Sequence, residues 1–381
     1  MSPAHSTSVG IELTDVQRLA WLQLIRSENI GATTFIELIK RFGTATRALQ
    51  ELPDLVARSG RKPIKVTSPA EAERELEKIY TLGARLVCLG EPGYPAALRA
   101  AEAPPPVLTV FGNCDALGRN AIAFVGSRNA SLAGVKLTGQ LVNGVAAGGY
   151  VIVSGLARGI DAAAHKASLS SGTIAVFAGG VDQIYPEQNI PLARAIIDKG
   201  GAVVSEMPFA WQPRAKDFPR RNRIVAGLAL GLVVVEAARR SGSLISARLA
   251  NEMGRLVFAV PGSPMDPRSE GTNALIRQGA QLITCSEDIL GSVNPIATQP
   301  QQAAYSLEDV RQIDMASVSK SPPPDDQQRS LLLDAMGYTP ASIDDLLRHT
   351  GLDADTVQMI LLELSLVGEI ERHAGNRVSR R

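Results

Sequence analysis

The chain has 381 residues, and 39 Lys and Arg against 38 Asp and Glu give a formal net charge of +1 at pH 7. A chain of this length exceeds one ordinary hydrophobic core, so we expect two or three domains. Hydrophobic content of 45% and charged content of 20% indicate a soluble globular protein. A net charge this close to zero does not attract a polyanion to the whole protein surface, so a polyanionic partner needs a local basic patch.

Cysteine, histidine and hydropathy patterns indicate a cytoplasmic protein without a metal site. The three cysteines and four histidines are scattered, which is not the spacing of zinc ligands. The N-terminus lacks the basic and apolar regions of a signal peptide. The longest uncharged apolar run, residues 224–235, is too short and too rich in glycine to span a bilayer.

The N-terminal region is predicted to be helical. Residues 1–11 are expected to form a disordered tail, and residues 12–103 a mainly helical domain. Two short helices joined by a turn at residues 29–34 are typical of a helix-hairpin-helix or sterile-alpha-motif-like module. Such a hairpin can grip a nucleic-acid backbone, but the single glycine in the turn favours a structural role. A proline cluster at residues 104–106 marks the domain boundary.

Residues 104–291 alternate apolar strands with helices, which predicts an extended Rossmann-like, doubly wound parallel sheet. Polar and glycine-rich clusters follow several of these strands, at the edge of the sheet where ligands bind in this fold class. One further strand is predicted before the boundary, at residues 85–89. The strands of the block are predicted at residues 107–111, 122–125, 151–153, 173–177, 202–204, 232–235, 256–259 and 281–283.

The stretch at residues 121–128 is predicted to be a buried strand, a glycine turn at Gly126 and a helix start. Ser127, Asn129 and Ser131 can each cap the following helix, predicted over residues 132–147. A helix start after a parallel strand presents free backbone N–H groups, and Arg128 adds a full charge there. The stretch therefore fits a phosphate site, and it fits a plain strand-to-helix turn with a solvated Arg128 equally well.

A basic segment at residues 214–223 is the sharpest charge signal in the chain. It carries several Arg and Lys residues around Phe218, with Phe209 and Trp211 close by. Basic residues neutralise phosphates and an aromatic face stacks on an unpaired base, so a loop of this composition favours single-stranded nucleic acid. A solvated basic loop with Phe218 in the core is the alternative.

Other polar residues on the same edge admit more than one role. Asp161 can cap a helix or hold Arg128 or Arg158, and His165 is a catalytic base or, more commonly for such a residue, a packed helix residue. Glu236 with the Ser241-Gly242-Ser243 turn can supply an acid and a nest of backbone amides. A nucleotide-hydrolysing enzyme with Glu236 as acid/base is therefore the alternative function.

Neither a dinucleotide fingerprint nor a Walker motif is present in the sequence, so no cofactor is expected.

The C-terminal part is predicted to be a linker, residues 292–326, and a winged helix-turn-helix domain, residues 327–381. Its recognition helix, predicted over residues 353–366, contains no Lys or Arg, whereas groove-reading helices normally carry them. This composition favours a protein-contact or auxiliary role and disfavours a winged-helix transcription factor. Of the recognition helix and the wing, only the wing carries Lys or Arg, at Arg372, Arg377, Arg380 and Arg381.

The motifs taken together resemble the DNA-processing protein A family (DprA/Smf). They are Gly126-Ser127-Arg128, Ser154-Gly-x-Ala-x-Gly159-Ile-Asp161, Tyr185-Pro186, Ser205-Glu206, Phe218-Pro-x-Arg221-Asn222-Arg223, Glu236 with Ser241-Gly-Ser-Leu, Pro261-Gly262 and Gly271-x-Asn273-x-Leu-Ile276. The resemblance covers the whole α/β block, and the flanking modules fit it as well. Where some members carry a basic residue after Tyr185-Pro186, this chain has Glu187.

The resemblance implies a homodimeric, non-enzymatic protein that binds single-stranded DNA without sequence preference. It further implies protection of incoming DNA and loading of the RecA recombinase during natural transformation. By carry-over, Arg128 lies in a phosphate pocket, and Phe218 and the Arg221–Arg223 segment contact DNA, with Lys216 as a further match. The predicted DNA-binding residues are Gly126, Ser127, Arg128, Ser154, Gly155, Lys216, Phe218, Arg221, Asn222, Arg223, Ser241, Gly242 and Ser243.

Overall fold

A computed structural model describes residues 12–58, 63–297, 324–373 and 375–381. These residues form two compact units. The central unit contains residues 75–297, and the terminal unit combines residues 12–58 and 63–74 with residues 324–373 and 375–381. The predicted disordered tail, residues 1–11, and most of the predicted linker lie outside the described residues.

Helices and strands alternate through the central unit, as the sequence predicts. The helices are α1 (Asp15–Arg26), α2 (Ala32–Phe42), α3 (Ala45–Arg58), α4 (Pro69–Thr81), α5 (Ala96–Arg99), α6 (Leu132–Ala147), α7 (Ile160–Ala167), α8 (Ile190–Asp198), α9 (Asp217–Gly227), α10 (Gly242–Glu252), α11 (Glu270–Arg277), α12 (Ser286–Ala297), α13 (Asp326–Ala335), α14 (Ile343–Thr350) and α15 (Ala354–Leu366). The strands are β1 (Arg85–Cys88), β2 (Val107–Gly112), β3 (Ala121–Val125), β4 (Val151–Ser154), β5 (Thr173–Val176), β6 (Ala202–Ser205), β7 (Gly231–Val234), β8 (Leu256–Ala259), β9 (Gln281–Leu282), β10 (Ala341–Ser342), β11 (Ile370–His373) and β12 (Arg377–Arg380).

The central unit is built on one sheet with the strand order β1-β2-β6-β5-β4-β3-β7-β8-β9. The strands from β6 to β9 in this order are parallel, which confirms the Rossmann-like prediction. The expectation for residues 107–111 is wrong in direction, because β2 runs antiparallel to both β1 and β6. An apolar run buried on both faces has the same pattern in either direction, so the sequence does not reveal the difference.

Strand β1 lies at the edge of this sheet, although the sequence places it in the N-terminal helical domain. The two units divide between residues 74 and 75, not near residue 103. The division therefore falls within α4, and the proline cluster at residues 104–106 leads directly into β2.

The middle of the sheet positions the candidate site. Every residue of β3 is buried, because helices cover both faces of the sheet. Its neighbours are β4 on one side and β7 on the other, so the direction of winding changes at β3. In open parallel sheets such a switch point leaves a crevice at the carboxyl ends of the strands.

The terminal unit joins helices α1–α3 to a winged helix made of α13–α15 and the sheet β10-β12-β11. Both predicted modules are therefore confirmed as folds. Side chains from all three C-terminal helices and the wing share one core, which includes Leu332, Leu346, Ile360 and Val378.

One buried histidine of the central unit makes the free energy of unfolding depend on pH. His165 on α7 is fully buried, and its Nδ1 lies 2.7 Å from Thr173 Oγ1. Burial, with a smaller contribution from the charge of Arg221, lowers the pKa of His165 to about 3. Because the unfolded chain takes up a proton at about pH 6.5, the unfolded state binds more protons between these two values.

We expect the free energy of unfolding of the central unit to fall as the pH drops from about 6.5 towards 3. His165→Asn removes this titration, so the stability difference between parent and variant should narrow as the pH falls. Chemical denaturation at a series of pH values measures it, with the exposed His349→Asn as a matched control. A difference that stays constant with pH would contradict the prediction.

Candidate nucleic-acid interface

The turn after β3 is held in place by its own helix cap and by a carboxylate just beyond the end of the neighbouring strand β7. Ser131 caps α6, and its Oγ accepts a hydrogen bond from Gly134 N at 2.9 Å. Glu236 accepts from Ser131 N at 3.0 Å and from Ser131 Oγ at 2.5 Å. Both carboxylate oxygens of Glu236 are thus occupied in fixing the start of α6, which argues against the acid/base role that a hydrolase requires of this residue.

A second glycine turn, after β4, packs backbone to backbone against the first. Ile160 N donates to Ser127 O at 3.2 Å, and a Cβ at Gly159 would lie 2.1 Å from the same oxygen. Asp161 accepts hydrogen bonds from Gly155 N and Ala157 N, both at 3.2 Å. The Asp161 carboxylate therefore stabilises its own turn. It forms no hydrogen bond or ion pair with Arg128 or Arg158, the two exposed arginines of the site.

The basic segment is a helix from residue 217, so the prediction of a loop is wrong there. Asp217 begins α9, and its Oδ2 accepts from Arg214 N at 2.9 Å and from Trp211 Nε1 at 3.0 Å. Pro219 lies in the first turn, where a missing N–H group leaves no helical hydrogen bond unmade. Proline and dense charge are therefore compatible with a helix start at this position.

The arginines of α9 point in different directions. Arg221 is buried, and its Nη1 donates to Gly155 O at 2.6 Å and to Val176 O at 2.5 Å. Arg223 instead forms an ion pair with Glu206 and donates to a backbone oxygen at Ala103. Arg221 and Arg223, which the sequence places at the DNA surface, therefore both make contacts that hold α9 in place.

The other predicted residues fall into surface and interior groups. Ser154 is fully buried and donates to Phe124 O at 2.6 Å, so its side chain cannot reach a ligand. Lys216 is exposed at the start of α9. Asn222 reaches towards the start of α10, where its Nδ2 lies 3.4 Å from Gly242 O. At that same helix start the hydroxyls of Ser241 and Ser243 are 2.7 Å apart, and Ser241 caps α10.

An arginine and two aromatic rings come together where the two glycine turns meet α9. Arg128 is exposed, and its Cζ lies 5.5 Å from the centroid of the Phe218 ring. The Tyr185 ring is also 5.5 Å from Phe218, in an edge-on arrangement at 62°. Tyr185 is 52% exposed, so one aromatic ring and one guanidinium face solvent together. This arrangement suits a phosphate next to an unpaired base.

These side chains border a cavity of about 260 Å³. Three of the described residues that line it are arginines and none is a carboxylate, so the cavity attracts anions. The pKa of Arg221 is lowered to about 10, mainly by burial; the charge of Asp161 opposes this shift and that of Arg128 contributes to it. Arg221 therefore keeps its charge at neutral pH. The lining residues are Arg128, Gly155, Ala157, Arg158, Tyr185, Pro186, Gln188, Phe218 and Arg221.

Sequence reasoning missed Arg158, Tyr185 and Gln188 as members of the site. The Tyr185-Pro186 pair follows β5 on the edge of the sheet that carries the other clusters, yet Tyr185 is not among the predicted DNA-binding residues. The peptide bond between Tyr185 and Pro186 is cis. Strand-end position was thus the signal that could have found these residues.

Neither a metal centre nor a membrane segment is found in the described part of the chain. Groups of three or more potential metal ligands are absent among these residues. Likewise, none of the described helices has the length and apolar character to cross a membrane.

Family models match all three parts of the chain. Residues 85–294 match the model for DNA recombination-mediator protein A, residues 15–77 the DprA-like N-terminal HHH domain, and residues 317–376 the DprA winged helix domain. The first match alone covers more than half of the chain.

Curated proteins and solved structures agree with these matches. Protein Smf of Escherichia coli is 40% identical over 295 residues, which cover 75% of this chain and 74% of Smf. A DprA structure from Streptococcus pneumoniae superposes with a TM-score of 0.61 at 34% identity, covering 74% of this chain and 99% of that one. DprA from Helicobacter pylori, whose structure describes a single-stranded DNA binding mode, has a TM-score of 0.51 at 29% identity, covering 56% and 96%. The chain therefore belongs to the DNA recombination-mediator protein A (DprA/Smf) family.

Proposed function

We propose that this chain binds single-stranded DNA without sequence preference at the cavity between Arg128, Tyr185 and Phe218. The observation that carries the proposal is the 5.5 Å approach of the Arg128 guanidinium to the Phe218 ring, with Tyr185 edge-on beside it. A guanidinium neutralises a backbone phosphate and an aromatic face stacks on any unpaired base. Neither interaction depends on which base is present.

The family membership supports this proposal and extends it. The Helicobacter pylori relative is described as binding single-stranded DNA, and relatives in Bacillus subtilis and Streptococcus pneumoniae are named as DNA processing proteins. We propose that this chain likewise acts on incoming DNA in natural transformation, in the cytoplasm and as a homodimer. It protects the strand and delivers it to RecA by binding, without catalysing a reaction on it.

Arg128→Ala tests the phosphate contact. The variant should bind an oligothymidylate more weakly, and the slope of log affinity against log salt should become shallower by about 0.7 for one lost contact to a single strand. Fluorescence anisotropy over a salt series measures both quantities. Arg194→Ala, an exposed arginine on α8, is the matched control and should change neither. An unchanged slope in Arg128→Ala would refute the contact.

Phe218→Ala tests the aromatic contact. Loss of one stacked base costs about 1–3 kcal/mol, or roughly five- to 150-fold in affinity for a single strand. Duplex affinity should not change, because paired bases do not offer a face to the ring. Phe218→Tyr keeps the ring and should bind single strands as the parent does. Equal losses for single strands and duplex would contradict a stacking role.

The delivery step is tested with purified RecA on single strands coated with single-stranded DNA-binding protein. Adding the chain should shorten the lag before RecA filaments form and should slow nuclease digestion of the strand. Arg128→Ala should lose both effects in proportion to its lost affinity. Sedimentation of the free chain measures the homodimer in parallel. Full strand binding without any effect on filament formation would remove the delivery step and leave the binding proposal intact.

A further inference from the structure

The recognition helix of the winged helix, α15, is buried on more than one side. Ten of its thirteen residues are buried, from Thr356 to Leu366 with Gln358 as the exception. One set of apolar side chains, which includes Val357, Ile360 and Leu364, belongs to the core of the winged helix itself. A helix that lies in a DNA groove must keep its other face open to the bases.

The other face of α15 is covered by the N-terminal helices. Met359, Leu362 and Leu366 are each less than 5% exposed, yet they are not part of the winged-helix core. Outside the winged helix, α15 contacts α2 and α3, which lie in the same compact unit. This explains why a helix in the recognition position is apolar and carries no Lys or Arg.

Two polar contacts fix this packing. The two terminal guanidinium nitrogens of Arg372, at the wing, contact the Glu37 carboxylate on α2, Nη1 at 2.7 Å and Nη2 at 2.8 Å. Asn29 Nδ2 donates to Leu366 O at 2.9 Å, a carbonyl in the last turn of α15 that has no partner within its own helix. Asn29 lies in the hairpin turn between α1 and α2 with a φ of +60°. The turn that a helix-hairpin-helix would offer to phosphates is here bonded to protein.

Charge is distributed to suit the same contact. Burial lowers the pKa of Arg41 on α2, and the nearby carboxylates of Asp355 and Glu363 on α15 oppose that shift. Glu363 is itself paired with Arg329 inside the winged helix, at 2.8 Å. Acidic groups on α15 therefore lie near Arg41 of the N-terminal helices and near Arg329 of the winged helix. A helix that reads DNA would instead lie against phosphates.

We propose that α15 is a docking helix whose partner is the N-terminal helical module of the same chain. The hairpin turn at Asn29 and the recognition helix α15 contact each other. Both kinds of element can bind nucleic acid, but here neither is free to bind a duplex. This inference concerns the terminal unit alone and does not depend on the single-stranded DNA proposal for the central unit.

Arg372→Glu in the full chain tests the docking. Placing two carboxylates in contact removes a bidentate, charge-assisted pair, so backbone amides of residues 354–366 should exchange with deuterium about tenfold faster or more. The double variant Arg372→Glu with Glu37→Arg restores opposite charges in swapped positions and should recover most of the protection. Arg381→Glu, an exposed arginine beside the same wing, is the matched control and should leave exchange unchanged.

The same variants test whether α15 can bind duplex DNA once its contact with the N-terminal helices is weakened. Arg372→Glu adds negative charge, so any gain in duplex binding would come from the uncovered helix and would overturn the docking role in favour of an autoinhibited reader. We expect no gain and no selected consensus sequence. Equal exchange in parent and Arg372→Glu, or failure of the double variant to recover protection, would contradict the Arg372–Glu37 contact that the proposal rests on.

Discussion

The buried guanidinium of Arg221 is the contact on which the arrangement of the candidate site depends. It joins α9 to backbone oxygens at the carboxyl ends of β4 and β5, through Gly155 and Val176. Gly155 makes this possible, because a Cβ there would lie 2.0 Å from Arg221 Nη1. Residues three positions apart lie on one face of a helix, so anchoring Arg221 places Phe218 over the same crevice. A buried charge of this kind needs hydrogen bonds, and the strand ends supply them.

The glycines around the crevice serve close packing of backbone on backbone. Gly126 ends β3 where a Cβ would lie 2.6 Å from Ile160, and Gly159 has a φ of +73° against the oxygen of Ser127. The two turns therefore pack directly against each other, and the exposed Arg128 and Tyr185 lie beside Phe218. The net charge of the chain is only +1, so the positive charge at the crevice results from the fold, which brings three arginines together there.

Much of this architecture was predictable from the sequence, because buried parallel strands and helix caps leave local signals. The helix predicted over residues 132–147 and the strand predicted over residues 256–259 have the observed bounds. The antiparallel direction of β2 was not predictable, because an apolar run has the same pattern in a parallel and in an antiparallel strand. The segment at residues 217–223 was mistaken for a loop because proline and charge are also tolerated in the first turn of a helix.

Side-chain destinations were the part that the sequence could not supply. Arg221 and Arg223 are two residues apart and have the same chemistry, yet one lines the cavity and the other is paired with Glu206. Only the packing of α9 against the sheet decides between these outcomes. The apolar composition of α15 was visible in the sequence, but its cover is provided by helices more than 300 residues earlier in the chain, as in the contact between Asn29 and Leu366.

A crystal structure of the full chain with a short oligothymidylate is the most direct measurement of where the strand binds. We expect a backbone phosphate within hydrogen-bonding distance of the Arg128 guanidinium, and a thymine stacked on Phe218 or Tyr185 in the same complex. A strand bound elsewhere on the molecule, with the crevice above Arg221 left unoccupied, would contradict the proposed interface.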